Sequence, residues 1–167
     1  MRTLIATLAI SVLLGCNSRA KGPVPIAPDD ACASCRMLIS QRRFAAEMLD
    51  SDGTIYKFDD IACMMRFAQA NGKNSPSVRF YVTDYAGGRD WLDARQAYFV
   101  RLRRSSSSPM ASGLAAFHGG KDAALSGGAG AEPRVSFNDL WTNGADKENA
   151  MSAENRPGSR SGKIHGH

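Results

Sequence analysis

The sequence predicts an α+β fold built from two small β-β-α modules. Short stretches of alternating apolar and polar residues lie on either side of turn-forming residues, which is typical of antiparallel hairpins. A stretch with helical character follows each hairpin, and Asn-Gly or Gly-Gly closes it. The chain has 167 residues, enough for one ordinary domain once a leader is removed.

The first module spans about residues 31–75 and is predicted from the order strand, turn, strand, helix. These four parts occupy residues 43–49, 50–53, 54–58 and 61–70. The turn reads Asp-Ser-Asp-Gly, and apolar residues of the helix recur at the spacing of one buried face. Asp59 and Asp60 precede the helix, where carboxylates cap free backbone N–H groups. Capping therefore accounts for both carboxylates, in preference to an acid/base pair.

The second module spans about residues 78–142. A connecting strand at 78–84 and a helical turn at 91–94 come first. The hairpin and helix of this module are predicted at residues 97–102, 113–117 and 121–126. A returning strand at 134–137 and a terminal turn at 138–141 complete the module.

Residues 1–15 have the features of a lipoprotein signal peptide. Arg2 gives a positive start, and residues 4–14 are mostly apolar but too few to span a bilayer. The segment ends in Leu13-Leu14-Gly15-Cys16, which is similar to a bacterial lipobox. We therefore expect a diacylglycerol group on Cys16 and anchoring in the membrane. Asn17 favours the outer membrane, with the protein on its periplasmic face.

The segments that flank the predicted domain have a different composition. Residues 16–30 contain the lipidated Cys and three prolines, and they predict a semi-rigid tether, with the folded part beginning near Asp30. Residues 143–167 have very few large apolar side chains and predict a disordered tail. The net charge of +5 is not arranged in an aromatic-interleaved basic stripe, so no nucleic-acid partner is expected.

Thiol and thioether side chains are the chemically informative residues. Cys32-Ala-Ser-Cys35-Arg-Met37 places a pair of thiols beside a thioether, the ligands that Cu(I) prefers over oxygen. Met110 follows Pro109 in a Ser-rich stretch without apolar periodicity, so it has no evident core role and is a candidate remote ligand. Cys63 lies one position off the buried helix face, as either a buried thiol or a reserve ligand. His118, before two glycines, is a second reserve ligand or a solvated side chain.

Other uses of the thiols remain open. Cys32 and Cys35 could form a disulfide in an oxidising compartment, either as a structural bridge or as the redox pair of an envelope thiol–disulfide protein. A structural zinc site would need Cys32, Cys35, Cys63 and His118 together. No Ser/His/Asp arrangement, phosphate-binding Gly loop or His-Glu-x-x-His motif is present, so we do not expect an enzyme.

The chain resembles the NosL family, copper-binding lipoproteins accessory to nitrous oxide reductase, over about residues 30–140. The motifs that carry the resemblance are Cys32-x-x-Cys35-x-Met37-x-Ile39, Lys57-Phe58-Asp59-Asp60-Ile61-x-Cys63-Met64, Tyr81-Val82-x-Asp84-Tyr85, Trp91 with Ala97-Tyr98-x-Val100, and Pro109-Met110 with Gly113 and Ala116-Phe117. Two positions depart from the family's pattern. Arg36 stands where Gly is usual, and Ala111 follows Met110 in place of an immediate Gly.

The resemblance implies a fold, a cargo and a set of partners. The fold would be related to that of organomercurial lyase, and the cargo would be Cu(I), bound without redox turnover. Delivery would be toward the copper clusters of nitrous oxide reductase in denitrification, through the NosDFY membrane complex or to the reductase itself. Cys32, Cys35, Met37 and Met110 match the family's motif positions and are the implied ligands.

Overall fold

The computed structural model describes residues 21–88, 90–102, 108–127 and 135–143. The predicted signal peptide, Cys16, the start of the predicted tether and the predicted tail beyond residue 143 lie outside these ranges. The described elements are a 3-10 turn Arg42–Phe44, β1 Ala46–Leu49, β2 Ile55–Phe58, α1 Ile61–Ala70, β3 Arg79–Thr83, β4 Trp91–Asp93, β5 Tyr98–Arg101, β6 Leu114–Phe117, α2 Gly120–Gly127 and α3 Phe137–Asn143. None of the helices in these ranges has the length and apolar character needed to cross a membrane.

The strands form two antiparallel sheets, which confirms the predicted α+β fold class. The first sheet has the order β2-β1-β3-β4, and the second pairs β5 with β6. In the first sheet Met48 lies between Tyr56 and Phe80 on the neighbouring strands. A shared core contains Met48 and Phe80 from the first sheet, Met64 from α1, and Phe99 from the second sheet. Because residues of both sheets meet in this core, the described elements form one domain.

Most predicted elements are confirmed, and two are wrong. Residues 91–94 do not form a helical turn, because Trp91–Asp93 is strand β4 and pairs with the end of β3. Three residues are too few to show a period of either kind, so only the pairing decides their structure. Of the predicted returning strand at 134–137, residue 134 lies outside the described ranges, and the rest is reduced to one bridge between Val135 and Phe99.

Helix α3 begins at Phe137, inside the predicted strand. Its start is fixed by a reciprocal capping arrangement in which Asp139 N–H donates to Ser136 Oγ, at 3.1 Å, and Ser136 N–H donates to the Asp139 carboxylate, at 2.9 Å. These bonds satisfy backbone donors at the helix start, so helix replaces strand at this point.

We call residues 21–30 the N-terminal arm. The arm packs against the sheet, so the predicted tether is not free over its whole length. Ile26 is only 6% exposed and contacts Ile39 and Ala45. The Val24 N–H donates to the Glu47 carboxylate at 2.9 Å. The folded part therefore begins before Asp30, the predicted boundary, because the face of β1 opposite α1 needs a cover and the arm provides it.

Lys57 connects the N-terminal arm to β2. Its ammonium group donates to the carbonyl of Pro25 at 3.1 Å and forms an ion pair with Asp30. The Lys57 carbonyl accepts from Ala33 N–H at 2.8 Å, just beyond the arm. Since Lys57 and Glu47 are cross-strand partners, both strands hold the same stretch of chain.

Candidate metal site

The Cys32–Met37 segment is a tight loop joined to the end of β2. Cys32 N–H donates to the Met37 carbonyl at 2.8 Å, and Arg36 N–H donates to the Cys32 carbonyl at 2.9 Å. The neighbouring residues Ala31 and Leu38 form an antiparallel bridge that closes the loop at its base. This folding buries Cys32 completely and leaves Cys35 half-buried beside it.

The start of α1 supplies the other side of the site. Asp60 is the N-cap, and its carboxylate accepts from Ala62 N–H at 2.8 Å. Asp59 stands one residue before the cap and Cys63 lies in the first helical turn, and both are buried. The junction between β2 and α1 therefore faces the Cys32–Met37 loop with a carboxylate and a thiol.

Four ligand-bearing side chains come together at this junction, and we call them the thiol cluster: Cys32, Cys35, Asp59 and Cys63. One potential ligand atom from each lies within 4.8 Å of all the others. All three cysteines are free thiols. The Cys35 thiol donates to Asp59 Oδ2 at 3.4 Å, while Asp59 Oδ1 is buried without a hydrogen-bond partner among the described residues. A buried, under-satisfied carboxylate among three thiols fits a cation site.

The thiols influence one another's ionisation. The Cys63 thiol donates a hydrogen bond to Cys32, which lowers the pKa of Cys32 to about 6. The same hydrogen bond, followed by burial, raises the pKa of Cys63, and burial raises the pKa of Cys35. Cys32 is therefore the first thiolate, and a thiolate is the form that binds metals. The Arg66 guanidinium donates to Cys63 Sγ at 3.2 Å and adds a positive charge at the cluster.

The structure brings together the predicted Cys32 and Cys35 with Cys63, the predicted reserve ligand, and it adds Asp59. The prediction that capping explains both carboxylates is wrong for Asp59. Among the described residues, Asp60 accepts from a helix N–H, whereas Asp59 accepts from the Cys35 thiol. A helix has one N-cap position, so the first residue of an Asp-Asp pair before a helix was available for another use. The presence of two aspartates before a single N-cap position was therefore the sequence signal that could have identified Asp59.

The two candidate thioethers are placed differently. Met37 is 53% exposed, although its carbonyl holds Cys32. Met110 is half-buried and packs against the core that includes Cys32 and Cys63. Its N–H donates to the Asp60 carboxylate at 3.4 Å. The Met110 backbone therefore lies at the same helix start as the thiol cluster.

His118 is not brought to the thiol cluster. It is exposed and lines a separate cavity with Trp91 and Tyr98. No imidazole from the described part of the chain joins Cys32, Cys35, Asp59 and Cys63. The zinc arrangement that needs His118 as the fourth ligand is therefore not formed.

Arg36 and Ala111 adopt left-handed backbone conformations beside the two candidate ligand loops. Their φ angles are +67° and +53°, a region that glycine occupies at little cost and other residues at about 1–2 kcal/mol. The resemblance to the NosL family implies glycine at the same two positions, where this chain has Arg36 and Ala111. Both loops thus keep a geometry suited to glycine although glycine is absent.

We expect Arg36→Gly to raise the free energy of unfolding by about 0.5–1 kcal/mol, because the relief of strain exceeds the entropy that glycine adds to the unfolded chain. Urea denaturation of the metal-free protein measures this change. Arg79→Gly is the matched control, because Arg79 is an exposed strand residue without a positive φ and its replacement should destabilise the protein. Equal destabilisation by both glycines would contradict the assignment of strain to Arg36.

Comparisons with known proteins agree with this architecture. The profile of the NosL family matches residues 23–128 of the chain. The crystal structure of the copper chaperone NosL from Shewanella denitrificans superposes with a TM-score of 0.60 at 20% sequence identity, covering 74% of this chain and 98% of that one. A search of curated proteins finds no match. The family profile covers well over half of the sequence, so the resemblance seen in the motifs is confirmed, and the chain belongs to the NosL family.

Proposed function

We propose that this protein is a copper chaperone that binds Cu(I) at the thiol cluster and releases it to an acceptor, without catalysing a reaction. The observation that carries the proposal is the convergence of three free thiols within 4.8 Å, two of them fully buried. Cu(I) prefers thiolate and thioether ligands, and the first thiol to ionise, Cys32, is at the centre of the hydrogen bonds. Membership of the NosL family and the fold shared with a copper chaperone support the same cargo.

The proposed ligand set follows from the softness of each donor. Cys32, Cys35 and Cys63 supply thiolates in pairs or together, and Met110 supplies a thioether from the loop attached to Asp60. Met37, which is exposed, is suited to the transfer step, in which the ion leaves the protein. Asp59 is a hard oxygen donor, so we assign it the role of orienting Cys35 through their hydrogen bond.

The destination of the copper and the location of the protein are further parts of the proposal. The lipobox supports a lipid anchor at Cys16 and a position on the periplasmic face of the outer membrane. The family supports delivery toward the copper clusters of nitrous oxide reductase, through the NosDFY complex or directly. Mass spectrometry of membrane-extracted protein should find diacylglycerol on Cys16, and an unmodified Cys16 would contradict the anchor.

A competition titration with a chromophoric Cu(I) chelator tests the cargo. The reduced chain beginning at Asn17 should bind one Cu(I), and Cys35→Ser or Met110→Leu should weaken binding at least about tenfold, because each removes a soft ligand. Met48→Leu is the control, since Met48 is a buried core residue and a volume-conserving change there should leave affinity unchanged. Equal affinity in Met110→Leu and Met48→Leu would remove Met110 from the site.

A redox function is the second candidate, and one observation favours it. Cys32 has a lowered pKa and lies beside the half-exposed Cys35, an arrangement typical of reactive thiol pairs. A thiol–disulfide protein has no use for Met110. A lower Cu(I) affinity of the Met110→Leu variant therefore favours the chaperone. Cu(I) affinity equal to that of a free dithiol, and unchanged in Met110→Leu, favours the redox protein.

A further inference from the structure

A basic cleft lies beside the 3-10 turn, away from the thiol cluster. It has a volume of about 570 Å³ and is lined by Ser40, Gln41, Arg42, Arg43, Tyr85 and Gly88. The Arg43 guanidinium stacks over the Tyr85 ring, 5.4 Å from its centroid, which holds one charge at the wall of the cleft. The cleft therefore contains two arginines and two polar side chains on a small, preformed surface.

Within the described ranges, neither arginine of the cleft forms an ion pair with a carboxylate. The Arg42 carbonyl accepts from Ala45 N–H, but its guanidinium forms no hydrogen bond or ion pair with any residue that the structure describes. The charge of Arg42 acts on Asp30 only through space and lowers the pKa of that carboxyl as a minor cause. Asp30 is already paired with Lys57. The carboxylate of Asp84, before the turn that contains Gly88, accepts the N–H groups of the two residues that follow Tyr85. The guanidinium donors of Arg42 thus remain available to an external oxyanion.

An apolar slot adjoins this cleft. It has a volume of about 180 Å³ and is lined by Pro25, Ile26, Thr83 and Trp91, and it shares Arg42 and Gly88 with the basic cleft. Trp91 is only half-buried, so its indole ring is partly accessible in the slot that it lines together with Arg42. A polar, cationic space joined to an apolar one matches an amphiphile with an anionic head and a hydrocarbon part.

We propose that the basic cleft and the apolar slot bind an anionic phospholipid, with its phosphate at Arg42 and Arg43 and the glycerol end of its acyl chains against Ile26 and Trp91. The route of the chain supports this occupant. Pro25, which lines the slot, is nine residues after Cys16 and so lies within about 32 Å of it along the chain. That last argument rests on the lipid anchor of the proposed function, whereas the fit of the two cavities does not.

Vesicle flotation of the metal-free chain beginning at Asn17 tests the proposal. This chain lacks the leader and the lipidated Cys, and it keeps every contact that the structure describes. It should float with vesicles of phosphatidylglycerol mixed into phosphatidylcholine and not with pure phosphatidylcholine. Arg42→Ala/Arg43→Ala should weaken binding about thirtyfold, because each basic residue at an anionic surface contributes about a fivefold change in the dissociation constant. Trp91 fluorescence should shift to the blue only in the binding-competent protein.

Arg79→Ala/Lys121→Ala is the matched control, because it removes two exposed charges from β3 and α2. Binding retained by the control and lost by the cleft variant supports the proposal. Equal loss in both variants would show diffuse charge attraction and overturn it. Saturable binding of inorganic phosphate that displaces the vesicles would assign the cleft to a free anion and overturn the lipid assignment. Cu(I) affinity measured on the same variants is expected to stay unchanged, so failure here leaves the copper site untouched.

Discussion

Replacing Asp60 with alanine is expected to lower the free energy of unfolding by about 3 kcal/mol. The Asp60 carboxylate is fully buried and accepts from Ala62 N–H, from the Ser112 hydroxyl at 2.7 and 2.9 Å, and from Met110 N–H. Loss of an N-cap costs about 1 kcal/mol, and the buried donors left without an acceptor cost about 1–3 kcal/mol more. Urea denaturation of the metal-free protein measures the sum.

Asp139→Ala is the control for this prediction. Asp139 also accepts backbone and hydroxyl donors at a helix start, but it is exposed, so water replaces its bonds after substitution. We expect a clearly smaller loss of stability than for Asp60→Ala. Similar losses in the two variants would mean that burial of Asp60 does not increase the contribution of its hydrogen bonds.

Variants of Asp60 and Asp59 are expected to differ in their effects on stability and on Cu(I) affinity. The Asp60 carboxylate accepts hydrogen bonds from Met110 and Ser112 and so fixes their loop at the helix start. If the Asp60→Ala variant still folds, it should bind Cu(I) more weakly, because this contact no longer positions Met110. Asp59→Asn should leave stability nearly unchanged and alter only the orientation of Cys35. The neighbouring aspartates therefore have different tasks, one holding the loop and the other facing the thiols.

Local signals were sufficient to predict the first hairpin, α1 and the pair Cys32 and Cys35. The hairpin has turn residues between two strands, and the helix has a clear apolar period, so neither needs information from distant residues. The two cysteines are close in sequence and remain close in any compact loop. These features depend on interactions over a few residues, which a sequence shows directly.

The remaining features depend on contacts between distant segments. Cys63 lies one position off the buried face of α1, and it becomes buried because the Cys32–Met37 loop covers that side of the helix. Strand β4 exists through its pairing with β3. The N-terminal arm contains one buried apolar residue, Ile26, among prolines, too little for a period. In each case the structure depends on a distant segment that packs against the residue or pairs with the strand. The local sequence pattern does not show which segment that is.

The burial of Glu47 also depends on a distant segment, the N-terminal arm. In an alternating strand a glutamate indicates a solvent-facing position, yet Glu47 is 1% exposed because the N-terminal arm covers it. Oε2 accepts from Val24 N–H, and Oε1 has no hydrogen-bond partner among the described residues. Burial raises the pKa of Glu47 from 4.5 to about 7, despite the nearby charge of Lys57.

The wild-type protein should therefore lose stability as the pH rises from about 4.5 to about 7, since the folded state disfavours the ionised carboxylate. The full effect approaches about 3 kcal/mol, from about 1.4 kcal/mol for each pKa unit. Glu47→Gln keeps an acceptor for Val24 N–H and cannot ionise, so it should remove this loss and exceed the wild type in stability above about pH 7. Urea denaturation across this pH range measures both curves.

The difference between the two curves isolates Glu47 from other titrating groups. Cys32 has a lowered pKa, so its contribution to stability falls as the pH decreases toward about 6, which is opposite in sign to that of Glu47. This contribution is common to wild type and Glu47→Gln and cancels in their difference. Asp29→Asn, an exposed change on the same arm, should give a curve parallel to the wild type. If the Glu47→Gln curve is also parallel, then the arm does not bury an ionised carboxylate. If the curves diverge, then closure of the N-terminal arm is weakest at neutral and alkaline pH, where the carboxylate is charged.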